Sequence, residues 1–140
     1  MIDMEELLGT LAINIKEKGI VNCEVEKYMK HLNLGVSEYV YHLYIEFFVG
    51  NKGKIRVNFI TWDEIEVKIA DVSLNENDSL EATSTSYRYF DLNETEFLSK
   101  VSSCLDNIYN IQRNYSKLVK INYQNRRKQE IEKDFTNETV

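Results

Sequence analysis

The chain has 140 residues, 43% of them hydrophobic, and a formal net charge of −6. This length suits one domain with a substantial core and is too short for two ordinary domains. No apolar run approaches the roughly 18 residues of a membrane span, and the first residues are acidic where a secretory signal would be basic, which predicts a cytoplasmic protein.

The first 35 residues predict a pair of short helices. Apolar residues fall on one helical face from Met4 to Ile15, and Gly19 follows as a C-terminal cap. A second helix is predicted between Asn22 and Gly35, because its apolar residues recur at spacings of three and four. These residues are Val25, Tyr28, Met29 and Leu32.

Residues 36–92 predict a mostly antiparallel sheet of four strands. Residues 39–48 fit both a helix and an alternating strand, but their aromatic and β-branched residues and the following Gly50–Gly53 turn favour the strand. A tight turn near Trp62 separates the second and third strands, and residues 83–91 form a polar fourth strand at the sheet edge. The inward residues of the second and third strands are predicted to be Ile55, Val57, Phe59, Ile65, Val67 and Ile69.

The last third of the chain predicts one long helix over residues 93–133. Asn93 can cap it, Glu96 can reach back to that cap, and Leu92 can pack against Phe97. Because the chain contains no proline, nothing interrupts this helix. At ~1.5 Å per residue it would be about 60 Å long, well beyond the diameter of a small domain.

Together these elements predict a single α+β domain over residues 1–140, with a long helix that covers the sheet and extends beyond it, and a disordered tail over residues 134–140. The apolar seam of the helix would be poorly solvated where it protrudes, so we predict a homodimer formed at least partly by this helix. The dimer seam is predicted to comprise Ile108, Ile111, Tyr115 and Leu118. The alternative is a break near residues 122–125.

Six basic residues and no acid lie between Asn107 and Gln129. They are Arg113, Lys117, Lys120, Arg126, Arg127 and Lys128. Subtracting their six positive charges from the net charge of −6 leaves −12 on the rest of the chain. Two interpretations stay open: the segment binds the backbone or single-stranded bases of a nucleic acid, or it pairs with the acidic body of the same or a dimer-related subunit. The net acidity favours the pairing.

The predicted sheet is rich in aromatic side chains that carry one polar end. They exceed what one small core can readily bury with every hydroxyl group hydrogen-bonded, and such residues are favoured at protein interfaces. Part of the set can also belong to the core. We predict a protein-binding surface formed by Tyr41, Tyr44, Trp62, Tyr87 and Tyr89.

No catalytic constellation is recognisable, and we expect no catalytic residue, cofactor or metal. Glu66-Val67-Lys68 matches the acid-x-lysine signature of metal-dependent nucleases. The signature also needs a second acid on a neighbouring strand. Asp63 is too close in sequence to supply it, and Glu46 is the only other candidate. A solvated strand face with alternating charges explains the same residues.

Other motifs are weaker still. Leu34–Ser37 resembles the turn of a helix-turn-helix, but residues 38–48 would then form a recognition helix without a single Lys or Arg to meet phosphate. The two histidines have no acid or cysteine at a metal-ligand spacing. Cys23 and Cys104 are predicted to be buried, reduced thiols on two helices.

The leading hypothesis is therefore a non-catalytic, intracellular protein-binding module that acts by occupying a partner's surface, such as an inhibitor, an immunity protein or a phage-type anti-defence factor. The second hypothesis is a nucleic-acid or nucleotide binder that uses residues 113–128, and the third is a metal-dependent nuclease. The expected partners are another protein and a second copy of the chain, and no membrane.

Overall fold

The computed structural model describes residues 2–138 and the side chains of residues 2–134. Two helices and five strands follow one another: α1 (Met4–Glu17), β1 (Asn22–His31), β2 (Ser37–Phe48), β3 (Lys54–Trp62), β4 (Glu66–Leu74), β5 (Leu80–Arg88) and α2 (Glu94–Glu138). The strands form one antiparallel sheet in the order β1-β2-β3-β4-β5. The predicted α+β class is confirmed.

Helix α1 forms where the sequence predicts the first helix. The Asp3 carboxylate accepts a hydrogen bond from the Glu6 amide at 3.2 Å and caps the helix, and Gly19 follows its end with a φ of +97°. One face of the helix packs into the core through Met4, Leu8, Ala12 and Ile15. α1 contacts β1 and β2, whereas α2 contacts β4, and residues of both helices belong to one core cluster.

The second predicted helix is wrong, because residues 22–31 form strand β1. This strand pairs with β2 from Asn22 opposite Glu46 to His31 opposite Ser37. Its first half alternates buried Cys23 with exposed Glu24, as a strand on a sheet edge should. The sheet therefore has five strands, one more than predicted.

The strand prediction for residues 39–48 is confirmed by β2, and the predicted second strand by β3. A bulge changes the inward side of β3: Leu43 pairs with Ile60 but Tyr44 pairs with Asn58, which leaves Phe59 as the extra residue. Because of this bulge, Ile60 is buried in the same core cluster as Phe59.

β3 and β4 pair over only three residues, from Ile60 opposite Ile69 to Trp62 opposite Val67. The sheet therefore opens between the first half of β3 and the second half of β4. Val67 and Ile69 are buried as predicted, but Ile65 is exposed because it lies in the β3–β4 turn rather than in the strand.

Helix α2 packs against β4 with the residues that were predicted to form a dimer seam. Ile108, Ile111 and Tyr115 are buried in the chain's own core, and Leu118 is half-buried against it. The Tyr115 ring lies so close to Gly50 that a Cβ atom there would be 2.5 Å from the ring's Cδ1, and the φ of Gly50 is +51°. In the described structure these residues thus make intramolecular contacts, and the homodimer stays a prediction.

Helix α2 begins where predicted and runs further than predicted. The Asn93 side chain accepts hydrogen bonds from the amides of Thr95 at 2.8 Å and Glu96 at 3.4 Å. The helix has 45 residues, with one irregular residue, Asn114, at φ −119°. It is continuous through residues 122–125, so the predicted alternative of a break there is wrong.

The predicted disordered tail also needs correction. Residues 134–138 continue α2, and residues 139–140 lie outside the described part of the chain. At ~1.5 Å per residue α2 is about 68 Å long, so it extends past the sheet as expected.

Candidate interaction surfaces

Three of the aromatic residues predicted to bind a protein form a stack in the interior. The rings of Tyr41 and Trp62 lie 4.8 Å apart, and those of Trp62 and Tyr89 lie 5.4 Å apart. All three side chains are buried, and the Tyr89 hydroxyl donates a hydrogen bond to the Ile2 carbonyl. Phe90 packs on Tyr89 and is 71% exposed, so it alone brings this stack to the surface.

The other two predicted aromatic residues are also covered. Tyr44 is buried beneath the Arg56 guanidinium, 3.8 Å from the ring centre, and its hydroxyl donates a 2.5 Å hydrogen bond to Glu24. This bond to a carboxylate raises the pKa of the Tyr44 hydroxyl. Tyr87 is half-buried beneath the Lys100 ammonium group. Burial leaves these five aromatic side chains little area to offer a partner.

The exposed apolar surface lies instead on the β1–β2 hairpin. These strands pair as far as His31 opposite Ser37, whereas β3 pairs with β2 only from Tyr41 onwards. Residues 28–40 therefore form a two-stranded ribbon that projects beyond the sheet by about 13 Å, at ~3.4 Å per residue over four residues of each strand. We call residues 28–40 the hairpin arm.

The hairpin arm carries six large apolar or aromatic side chains that are exposed. They are Tyr28, Met29, Leu32, Leu34, Val36 and Tyr39. Leu34 is 99% exposed, and its φ of +68° places it in the left-handed region that disfavours a leucine. At the base of the arm the Lys27 ammonium lies 4.3 Å from the centre of the Tyr39 ring. Sequence reasoning missed this surface because it assigned three of these residues, Tyr28, Met29 and Leu32, to the apolar face of a helix.

A chain of three hydrogen-bonding side chains crosses β1, β2 and β3 at the root of the arm. The Tyr28 hydroxyl lies 2.5 Å from Nε2 of His42, and Nδ1 of His42 lies 2.9 Å from Oγ1 of Thr61. Burial lowers the pKa of His42, and Arg56 lowers it further, against an opposing effect of Glu26. The neutral imidazole can accept a hydrogen bond from one hydroxyl group and donate a hydrogen bond to the other.

A cavity of about 350 Å³ adjoins this chain. Its lining residues are Tyr28, Lys30, Val40, Thr61, Asp63, Glu66 and Lys68. Oδ1 of Asp63 accepts hydrogen bonds from the backbone amides of Ile65 and Glu66, and the Lys68 ammonium lies 3.7 Å from Glu66. These charged groups are therefore engaged with one another and with the β3–β4 turn.

The nuclease and helix-turn-helix hypotheses find no geometric support. Glu46, the remaining candidate for a second acid, forms a 2.7 Å ion pair with Lys54, which lowers the pKa of its carboxyl group. Among residues 2–138, no group of three or more His, Cys, Asp or Glu side chains is placed to hold a metal ion. The helix-turn-helix interpretation is wrong, because residues 37–48 form a strand.

One of the six basic residues between Asn107 and Gln129 contacts the β4–β5 hairpin. Arg126 donates hydrogen bonds to the Glu76 carbonyl and to Asp78, and Asn122 donates to the Asn75 carbonyl at 2.8 Å and to Asp78 at 3.0 Å. The bond from Asn122, together with Arg126, lowers the pKa of the Asp78 carboxyl group.

The other five basic residues between Asn107 and Gln129 are exposed, and within the described residues none has an acidic side chain at ion-pair distance. They are Arg113, Lys117, Lys120, Arg127 and Lys128. The predicted pairing with the acidic body of the same chain thus applies to Arg126 alone.

Both cysteines are free thiols. Cys23 lies on strand β1 rather than on a helix, and burial raises the pKa of its thiol to about 12. Cys104 lies on α2, half-buried, and burial raises its pKa as well. A thiol with a raised pKa is a weak nucleophile at neutral pH.

No family model, curated protein or solved structure matches this chain. Within residues 2–138, neither helix combines the length and the apolar character needed to cross a membrane.

Proposed function

We propose that this chain is a non-catalytic, intracellular protein-binding module that inserts its hairpin arm into an apolar groove of a partner protein. An inhibitor, an immunity protein or an anti-defence factor would act in this way. The observation that carries the proposal is the set of six exposed apolar or aromatic side chains on the arm.

The fold itself gains little from these side chains. Single exposed apolar residues are ordinary, but six large ones on one projecting hairpin are typical of an interaction surface. Burial of apolar area against a partner contributes roughly 25 cal/mol per Å², which the free chain does not obtain at this site. The left-handed backbone of Leu34 adds a conformational cost of roughly 1 to 2 kcal/mol in the free protein.

The backbone of the arm also favours a protein partner. β1 is an edge strand, and β2 has no β3 neighbour before Tyr41, so both edges of the arm lack a strand partner in the described sheet. An extended segment of another protein can pair with such an edge while apolar pockets receive alternate side chains. The presence of Tyr39 and Met29 agrees with the residue types enriched at the centres of protein interfaces.

The test begins with a photo-crosslinking amino acid at position 34, introduced into the chain in its native host. The crosslinked protein is identified, purified and titrated against the wild type, against a triple variant (Leu32→Ser, Leu34→Ser, Val36→Ser) and against Ile13→Ser. Ile13 is a matched control, because it is 62% exposed on α1 and far from the arm in sequence.

We expect the triple variant to weaken binding of the purified partner at least tenfold and the Ile13 variant to bind within twofold of the wild type. Equal binding by the wild type and the triple variant would contradict the proposal. Crosslinking only to a second copy of the chain would also contradict it and would make the arm a self-association element.

A further inference from the structure

The proposed function uses the hairpin arm and leaves the positive charge of α2 unexplained. We call the exposed residues Arg113, Lys117, Lys120, Arg127 and Lys128 the basic stripe. Asp106 precedes the stripe and Glu130 follows it, and no acid lies between them. The stripe is about 22 Å long at ~1.5 Å per residue.

The stripe lies on the side of α2 that faces away from the sheet. At about 100° per residue, its members fall within about 60° of the direction opposite Tyr115, whose ring is buried against Gly50. Gln124 lies on the same side, and Tyr123 is exposed beside it. Arg126 alone points to the body, where it binds the β4–β5 hairpin.

Within the described residues no acidic side chain lies at ion-pair distance from the stripe, and Arg113 contacts only an uncharged partner, the Tyr109 ring, 5.5 Å from its guanidinium group. Elsewhere in the described residues Lys54 pairs with Glu46, Arg56 with Glu26 and Lys68 with Glu66, whereas the stripe aligns five cations without an acid at ion-pair distance along one helix. Arg113 and Lys117 are four positions apart, and Lys117 and Lys120 three, so these like charges repel across a helical turn at a cost of a few tenths of a kcal/mol per pair. An anionic ligand would relieve the repulsion.

The acidity of the rest of the chain does not prevent such a contact. At physiological ionic strength the Debye length is about 8 Å, so acids on the far side of the body are largely screened from the stripe. The same charge pattern opposes a dimer through this face, because two copies would place ten cations side by side.

We propose that the basic stripe binds the phosphate backbone of a single-stranded nucleic acid. A single strand can follow one narrow line of cations while bases stack on an exposed aromatic ring such as Tyr123. A duplex would present a second phosphate backbone to the flanks of the helix, which carry no cation, and to the acidic body behind them.

The test measures anisotropy of a fluorescent oligothymidylate of about 20 nucleotides, with a duplex of equal length and polyglutamate as competitors. The variants are Lys117→Glu/Lys120→Glu and the neutral Lys117→Gln/Lys120→Gln. The control, Lys16→Glu/Lys18→Glu, changes the net charge equally at exposed residues outside both α2 and the hairpin arm. Thermal unfolding and circular dichroism establish that all variants are folded.

We expect the wild type to bind with a slope of log K against log salt of about −3.5, since five neutralised phosphates each contribute about −0.7 on a single strand. The glutamate variant should lose at least tenfold in affinity, the glutamine variant should lose less and show a shallower slope, and the control should stay within threefold.

Four results would overturn the proposal: no binding by the wild type at low salt, an equal loss in the control, tighter competition by the duplex, or tighter competition by polyglutamate. The last result would identify an acidic protein surface as the ligand. These measurements use no protein partner, so failure here leaves the proposal for the hairpin arm standing, and the reverse also holds.

Discussion

Leu34 is a residue whose backbone and side chain both act against the stability of the free protein. Its φ of +68° suits Asn or Gly far better than a leucine, and its side chain contributes no buried area. We therefore expect Leu34→Asn to raise the free energy of unfolding by roughly 1 kcal/mol, measured by urea denaturation. The same variant should bind the arm's partner more weakly than the wild type. A loss of stability would show that Leu34 serves the fold.

His42 links stability to pH. Its pKa is lowered in the folded state from an ordinary value of 6.5, so between these two pKa values the unfolded chain binds more protons than the folded one. Stability from this group is therefore complete above about pH 6.5 and decreases as the pH falls through the folded pKa.

We expect His42→Gln to flatten the fall in unfolding free energy between pH 7.5 and 5.5, measured by urea titrations at several pH values. The control is His31→Gln. His31 is the second histidine of the chain and lies on the exposed hairpin arm, so this variant should keep the wild-type dependence of unfolding free energy on pH. If the slope of unfolding free energy against pH were unchanged in the His42 variant, the loss of stability at low pH would not come from His42.

Helix α2 stabilises its own chain through the row of apolar residues that recur at spacings of three and four along it. Ile108 is fully buried, so Ile108→Ala should lower the free energy of unfolding by about 2 to 5 kcal/mol. Because the contact is intramolecular, the denaturation midpoint should not depend on protein concentration. Ile121→Ala, at an exposed position of the same helix, should change stability by less than about 0.5 kcal/mol. A midpoint that rises with concentration in the wild type alone would point to a dimer through this seam.

The elements that sequence reasoning finds are those whose apolar residues are buried. α1, the hairpin of β2 and β3, and α2 follow their hydrophobic patterns because Leu8, Phe47 and Ile108 point into the core. β1 was mistaken for a helix because Tyr28 and Met29 lie on the exposed arm, where no core selects a period of two. The exposed apolar residues of this strand happen to recur at the three- and four-residue spacings that are typical of a helix.

The candidate surfaces were less accessible to sequence reasoning, because composition does not distinguish a buried aromatic residue from an exposed one. Tyr41 and Trp62 are buried and stack on one another, and Trp62 packs on Tyr89, contacts that only the fold brings about. The basic segment was found from its charge alone, but its exposure on one face, with only Arg126 turned inward, required the course of α2.

The two proposed surfaces lie towards opposite ends of the sheet. The hairpin arm extends beside the β3–β4 turn, whereas the Tyr115 region of α2 contacts Gly50 at the other end of β2. A protein and a nucleic acid would thus meet the molecule at separate sites, and neither would obstruct the other.

The meander order of the sheet has a consequence for how the chain matures during synthesis. Each strand pairs with the strand that follows it, so hairpins close over short loops at low entropic cost. All five strands leave the ribosome before α2, which supplies the missing wall of the core with Ile108 and Tyr115. Apolar residues of the nascent sheet therefore stay exposed to solvent until α2 is translated. Chaperones that recognise exposed apolar surfaces should bind the chain during this interval.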